Sequence, residues 1–213
     1  MPDLVHGRFP VTYPFAKLTG LASNASQGNV SVRSNMEWFA LGNITDGALA
    51  ATGVACAVAV PVEPGDVITQ ITIQAGATAE ATGTHAWAAL YSGIATPALL
   101  AQSADATGAA AIGASAAYTF TLSSAVQITG GATGNAPNGF VYASIMVAAG
   151  TIPTAAVVAT PTAVGYQWNP TGARTPTTPL FFSATHGSSL AATAPATIAS
   201  PSAKAVAPLV FLS

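Results

Sequence analysis

The side chains that could do chemistry are few and lie far apart in the sequence. The chain has three histidines, one cysteine and seven acidic residues, most of them at turn-like positions. His186 precedes a glycine and two serines, so a Ser-His-Asp arrangement could form only if distant segments met in space. Cys56 lies in the apolar run 54–58, which favours a small buried residue over a nucleophile. His85 opens an apolar segment beside Trp87, which is typical of a half-buried strand residue.

Known catalytic motifs are missing from the sequence. It contains no Gly-x-Ser-x-Gly elbow, no phosphate-binding loop and no His-Glu-x-x-His pattern. The glycine-rich stretch 130–134 does not match a dinucleotide fingerprint and predicts a turn. Glu63 and Asp66 flank a Pro-Gly pair, where carboxylates commonly cap turns. We therefore expect no catalytic residue, no cofactor and no metal site, and we do not expect an enzyme.

One loop-like segment carries the residue types that favour contact with a partner. Tyr166, Trp168 and Arg174 lie in the turn-rich stretch 165–174, and Tyr, Trp and Arg are enriched in interface hot spots. Aromatic side chains also stack on sugars, and the same side chains could simply cover a sheet edge. Partner contact, plain packing and carbohydrate binding therefore stay open as interpretations of this segment.

Charge is the most unusual feature of the composition. Only 6% of the residues are charged, compared with roughly 25% in an average soluble domain. The stretch between Asp105 and Arg174 contains no formal charge, and the net charge is −2. Such a chain has no long-range attraction for nucleic acid or anionic lipid. A surface without charge predicts a protein that hides much of its area against neighbours, as in a homo-oligomer or a larger assembly.

A mean hydropathy of +0.52 does not predict a membrane protein. A spanning helix needs about 20 continuous apolar residues. The best candidate, 141–166, is interrupted by Gly150, Pro153 and Pro161. We therefore expect no membrane partner.

From about residue 47 onward the pattern is that of strands separated by turns. In 67–74 the residues alternate, which predicts that Val67, Ile71 and Ile73 share one face. The segments 85–91 and 140–147 are apolar on both faces, which places them centrally in a sandwich. Turn signals every 8 to 12 residues favour an antiparallel β-sandwich, and we expect a jelly-roll-like one.

Further strands are predicted at 55–62, 98–102, 118–122, 126–129, 179–183 and 209–212. The alanine-rich segments 107–117 and 189–200 lack a helical apolar stripe and predict loops. The tail over about 187–207 is expected to run extended over the surface.

The first 46 residues differ in composition from the rest and predict an extended N-terminal arm or small anchoring subdomain. The sandwich would then occupy 47–213. Phe9, Tyr13 and Phe15 lie in an extended piece of this arm and are predicted to contact a partner. An ordinary edge extension of the main domain is the alternative.

Several strand and turn phrases together resemble a known family. They are VPVEPGDVI (60–68), WAALYS (87–92), LLAQSAD (99–105), YTF (118–120), GFVYAS (139–144) and APLVFLS (207–213). Over roughly 50–213 the chain resembles the β-sandwich domain of small virion proteins of phages that infect actinobacteria. These are minor tail proteins or, less often, head decoration or fibre proteins. The family supplies no functional residues to carry over.

The resemblance implies an all-β structural protein of the virion, assembled in the bacterial host cytoplasm. A tail-associated role would place it next to other tail proteins, with a host-surface glycan as a further partner. A decoration protein would instead bind the capsid exterior in many copies, expected as trimers. A carbohydrate-binding module is the alternative from another class.

Overall fold

The computed structural model describes residues 32–38, 44–106, 112–159 and 181–213. Within these ranges the chain forms thirteen strands and one 3₁₀ helix, Asn35–Trp38. In chain order the strands are β1 Arg33–Ser34, β2 Thr45–Ala48, β3 Val54–Pro61, β4 Val67–Gln74, β5 Ala81–Tyr91, β6 Leu99–Gln102, β7 Ala117–Gln127, β8 Phe140–Thr151, β9 Thr154–Ala159, β10 Ser183–His186, β11 Ser202–Ala203, β12 Val206–Pro208 and β13 Val210–Leu212.

The strands build three sheets. A four-stranded sheet has the order β1-β13-β4-β7, a six-stranded sheet the order β11-β10-β3-β8-β5-β6, and a small sheet the order β12-β9-β2. Each pairing between these strands is antiparallel. The predicted all-β antiparallel sandwich is therefore confirmed. In the described ranges no helix is long and apolar enough to cross a membrane.

The main core lies between the four-stranded and six-stranded sheets. Ile71 and Ile73 of β4 meet Val58 of β3, Leu90 of β5 and Ile145 of β8 in one cluster, each at most 1% exposed. Removal of these side chains from water is the main stabilising contribution to the sandwich, about 25 cal/mol per Å² of apolar surface.

A second apolar layer lies on the outer face of the six-stranded sheet. Trp87, Tyr91, Tyr142 and Met146 are fully buried there. Residues 187–201, here called the cover segment, follow β10 and contribute Leu190, Ala194 and Ile198 to this layer, while Phe181 stacks on Tyr142. Both faces of β5 and β8 are therefore buried, and their predicted central position is confirmed.

The structure of β4 corrects the prediction that Val67 shares a face with Ile71 and Ile73. Val67 is 40% exposed, whereas Ile68 is fully buried with Ile71 and Ile73. The register between β4 and β7 shifts between Ile68 and Gln70. Because a local irregularity moves one residue to the other face, strict alternation fails at the start of this strand.

Strand β7 corrects two predicted boundaries. The strands expected at 118–122 and 126–129 are parts of one continuous strand, Ala117–Gln127. The register irregularity opposite Ile68/Gln70 takes up the intervening serines without ending the strand. Strand β10 begins at Ser183, the residue at which the sequence predicts the end of a strand.

The segment before β2 is joined to the sandwich by a buried amide. Asn35 is fully buried, and its Nδ2 donates to the Pro208 carbonyl at 2.8 Å while Oδ1 accepts from Val210 N–H at 3.0 Å. Strand β1 also pairs with β13. The described residues of the predicted 1–46 arm therefore pack on the sandwich, whereas 1–31 and 39–43 lie outside the described residues.

Candidate functional site

The six predicted partner-binding residues lie outside the described residues, so their role stays a prediction. They are Phe9, Tyr13, Phe15, Tyr166, Trp168 and Arg174. Other polar and aromatic groups lie close together within the described residues.

One close pair of reactive groups joins β8 and β10 across β3. Ser144 Oγ lies 2.7 Å from His186 Nε2. Strand β3 separates the two, and its Ala57 and Ala55 stand opposite Ser144 and His186. Because alanine side chains are short, the serine and histidine side chains can meet above the middle strand.

This serine–histidine pair is sealed inside the outer layer. Ser144 is fully buried and His186 is 3% exposed. The His186 ring meets the Tyr91 ring edge-on, with ring centroids 5.8 Å apart. Burial lowers the pKa of His186 to about 4, because the charged imidazolium is poorly solvated there. The imidazole is therefore neutral at pH 7.

The pair lacks the rest of a hydrolytic site. Nδ1 of His186 has no hydrogen-bond partner in the described part of the chain, so the ring is not oriented by a carboxylate there. Ser144 is covered, and a substrate would have to displace the cover segment to reach it. From the sequence, His186 could in principle lie close to a serine and an aspartate. In the described residues it contacts a serine, Ser144, but no acidic side chain bonds its ring.

Three side chains of the sheet hold the cover segment by hydrogen bonds. Trp87 Nε1–H donates to the Ala191 carbonyl at 2.7 Å, and Tyr91 O–H donates to the Pro195 carbonyl at 2.9 Å. Gln102 donates to the Ala192 carbonyl and accepts from Ala194 N–H, both at 2.7 Å. Burial raises the pKa of Tyr91, so its hydroxyl stays a donor at neutral pH.

His85 and Asp105 form a second pair, at the margin of the six-stranded sheet. His85 Nδ1 lies 2.7 Å from Asp105 Oδ2, and Asp105 Oδ1 accepts from Ala86 N–H at 3.0 Å. The His85 side chain is 30% exposed, which agrees with a half-buried strand residue. The carboxylate therefore fixes the start of the apolar half of β5.

The predicted turn at 63–66 forms an ion-pair cluster with β1. Asp66 N–H donates to the Glu63 carbonyl at 3.1 Å, and Gly65 has a φ of 99°, which matches a turn with Pro and Gly at its centre. Arg33 Nε donates to Asp66 Oδ2 at 2.7 Å, and another guanidinium nitrogen lies 2.9 Å from Glu63. These contacts hold β1 on the sandwich.

Cys56 is fully buried on the inner face of β3, as its apolar surroundings predict. Its sulfur lies 3.9 Å from Ser183 Oγ. Burial raises the pKa of the Cys56 thiol, so it remains a protonated, unreactive thiol near neutral pH. Across the described ranges, no group of three or more His, Cys, Asp and Glu side chains is placed to hold a metal ion.

The charged side chains are bonded within the chain. Seven of them have an ion-pair or hydrogen-bond partner in the same chain. They are Arg33, Asp46, Glu63, Asp66, Glu80, Asp105 and Lys204. These contacts stabilise turns, strand ends and loops.

Sequence reasoning missed the aromatic layer and its serine–histidine pair. Alternation along β5 places Trp87 and Tyr91 on one face, and alternation along β8 places Tyr142 and Ser144 on one face. Both alternations are visible in the sequence. The pairing with His186 depends on the strand order β10-β3-β8, which no local pattern specifies.

Compared with known families and characterised proteins, the chain matches no family model and no curated sequence. Its function is therefore inferred from its own geometry and charge.

Proposed function

We propose that this chain is a structural protein of a bacteriophage virion, associated with the tail and attached by non-covalent packing. It would assemble in the cytoplasm of the bacterial host beside other virion proteins. The observation that carries the proposal is the use of charge: only 6% of the residues are charged, and seven charged side chains are each bonded to groups of the same chain, so the surface offers mainly neutral groups.

A neutral surface suits burial in an assembly better than life as a free monomer. Charged groups keep isolated proteins soluble and apart. Burying Thr, Gln and Ala against a neighbour removes no charge from water, so the desolvation penalty is smaller than for charged groups when the hydroxyl and amide groups find new hydrogen-bond partners. Thr72 and Thr119 show this chemistry on the outer face of the four-stranded sheet, where their hydroxyl oxygens lie 2.8 Å apart.

Four of the six sheet edges carry features that resist pairing with another chain. The edge strands β1 and β11 have two residues each, and β12 has three and includes Pro208. Strand β2, another edge, contains Asp46 and Gly47. Short, charged or proline-containing edges resist pairing with other chains. The other two edges are β6, which lies beside the Ala98–Thr197 bridge, and β7, which has eleven residues. Contact through a sheet face and pairing at the β7 edge are therefore both compatible with the structure.

Raising the salt concentration should leave the protein on its particle. Going from about 0.1 M to about 1 M NaCl shortens the Debye length from about 10 Å to about 3 Å and weakens contacts between exposed charges. Purified phage particles washed over this range should retain the chain on an immunoblot. Urea below the unfolding range should release it, since urea weakens apolar burial. Release by NaCl alone would contradict attachment through neutral surfaces.

The same washed particles separate the remaining alternatives. A capsid decoration protein would also survive the salt wash but would copurify with empty heads rather than with isolated tails. A carbohydrate-binding module would be absent from the particles and retained on host cell-wall glycans.

A further inference from the structure

The cover segment joins β10 to β11 and crosses the outer face of the six-stranded sheet. Besides the bonds from Trp87, Tyr91 and Gln102, it makes backbone bonds beside β6 at the far edge. Leu99 N–H donates to the Ala196 carbonyl at 2.9 Å. Thr197 and Ala98 form an antiparallel bridge between them. Hydrogen bonds therefore hold the cover segment at several points along its length, after the residues that connect it to β10.

Both ends of the cover segment hold left-handed backbone conformations. Gly187 has a φ of 70°, Ser189 of 52° and Ser200 of 47°. Glycine adopts this region freely, whereas serine seldom does. The turns that fold the segment back over its own sheet are consequently strained, and strain in connecting loops favours exchange of a segment between identical chains.

The contacts of the segment do not depend on which chain supplies it. From 187 to 201 there is no Asp, Glu, Lys, Arg or His, so no ion pair ties it to its own sheet. Its carbonyl groups accept from Trp87, Tyr91 and Gln102, and its Ala194 and Leu190 N–H groups donate to Gln102 and to the Gly53 carbonyl. Ala194 and Ile198 fill the apolar layer below. An identical segment from a neighbouring copy would make the same contacts.

We propose that in the assembled particle the cover segment of one copy lies on the aromatic layer of a neighbouring copy, while that layer's own segment is displaced. This inference rests on the proposed function, because exchange requires copies held side by side. Close neighbours raise the local concentration of the exchanging segment. An extended path between copies also lets Ser189 and Ser200 leave the left-handed region. The partner is thus a second copy of this chain.

A mixed-chain disulfide tests the exchange. All chains carry Cys56→Ala; one set also carries Ala98→Cys and the other Thr197→Cys. Directly opposed residues of an antiparallel bridge have Cα atoms about 4.5–5.5 Å apart, within the range that a disulfide spans. Both sets are produced together during infection, with tags of different length, and particles are oxidised and run on non-reducing gels. A disulfide joining the two sets is the expected result.

A matched pair inside the six-stranded sheet is the control. Val58 and Ala143 are directly opposed on β3 and β8 and fully buried, and their strands are not exchanged, so Val58→Cys chains should not crosslink to Ala143→Cys chains. A chain carrying both Ala98→Cys and Thr197→Cys shows whether the segment is closed on its own sheet. If the double variant forms a disulfide within one chain and the mixed sets form none between chains, the exchange is wrong. The virion proposal is unaffected by that result. Particles that lack the chain overturn both.

Discussion

Trp87→Ala is expected to lower the free energy of unfolding by about 3–5 kcal/mol, as other large-to-small changes in protein cores do. Trp87 is fully buried in the outer layer, so the truncation leaves a cavity. The substitution also removes the donor to the Ala191 carbonyl. Since small domains have roughly 5–15 kcal/mol of total stability, much of it would be lost. Urea unfolding followed by circular dichroism measures the change.

Trp87→Phe separates packing from hydrogen bonding at this position. Phenylalanine retains most of the ring but cannot donate to Ala191, so we expect a smaller loss, about 1–3 kcal/mol. Limited proteolysis should cut the cover segment faster in both variants and fastest in Trp87→Ala. A loss below about 1 kcal/mol for Trp87→Ala, against the usual cost of emptying a core site, would mean that the aromatic layer is not packed as described.

Acid should weaken the fold through His186. Its pKa is about 4 in the folded protein, below the ordinary value of 6.5, so the unfolded chain takes up the proton first. The contribution of neutral His186 is complete above pH 6.5 and decreases as the pH falls toward 4. The total loss is about 3 kcal/mol. The urea midpoint measured between pH 7.5 and pH 4 should fall accordingly.

The other titratable groups around His186 are two tyrosines, a cysteine and a lysine. Tyr91 and Tyr142 face the same layer, and burial raises the pKa of both hydroxyl groups. Cys56 lies on the opposite face of β3, and the Lys204 ammonium group donates to the Ala48 and Leu49 carbonyls.

His186→Gln is the matched control, because glutamine can still bond Ser144 but does not titrate. The difference between the pH profiles of the native chain and His186→Gln isolates the histidine from the carboxylates. Parallel profiles, or an imidazole that titrates near pH 6.5 in nuclear magnetic resonance spectra of the folded protein, would contradict the buried neutral imidazole.

Local patterns were enough to predict the long strands. The alternation in 67–74 predicted β4 with its bounds, and the doubly apolar segments predicted the central places of β5 and β8. Proline and glycine at 64–65 located the turn before β4. These strands and this turn depend on residues that are close in sequence, so the periodicity of the sequence predicts them.

The short strands β6 and β13 agree with the strands predicted at 98–102 and 209–212. Other short strands could not be predicted, because tertiary pairing forms them. Strand β2 has the sequence TDGA, whose aspartate and glycine are poor strand formers; it is a strand through its pairing with β9. Val67 was placed on the wrong face for the same reason, since the irregularity opposite β7 is not visible in β4 itself.

The cover segment shows the limit most clearly. Its alanine, threonine and proline residues predicted an extended surface path without helix, and the segment has none. Its position over Trp87 and Tyr91 depends on these distant aromatic donors. Only the folded sheet brings those donors beneath residues 187–201.

Immunogold electron microscopy of purified particles, with antibody raised against the whole chain, tests the central claim most directly. Particles from cells that produce this chain should carry label at the tail. Label over the head would instead assign the chain to the capsid exterior. Unlabelled particles together with a positive lysate of the same infected cells would contradict a structural role in the virion.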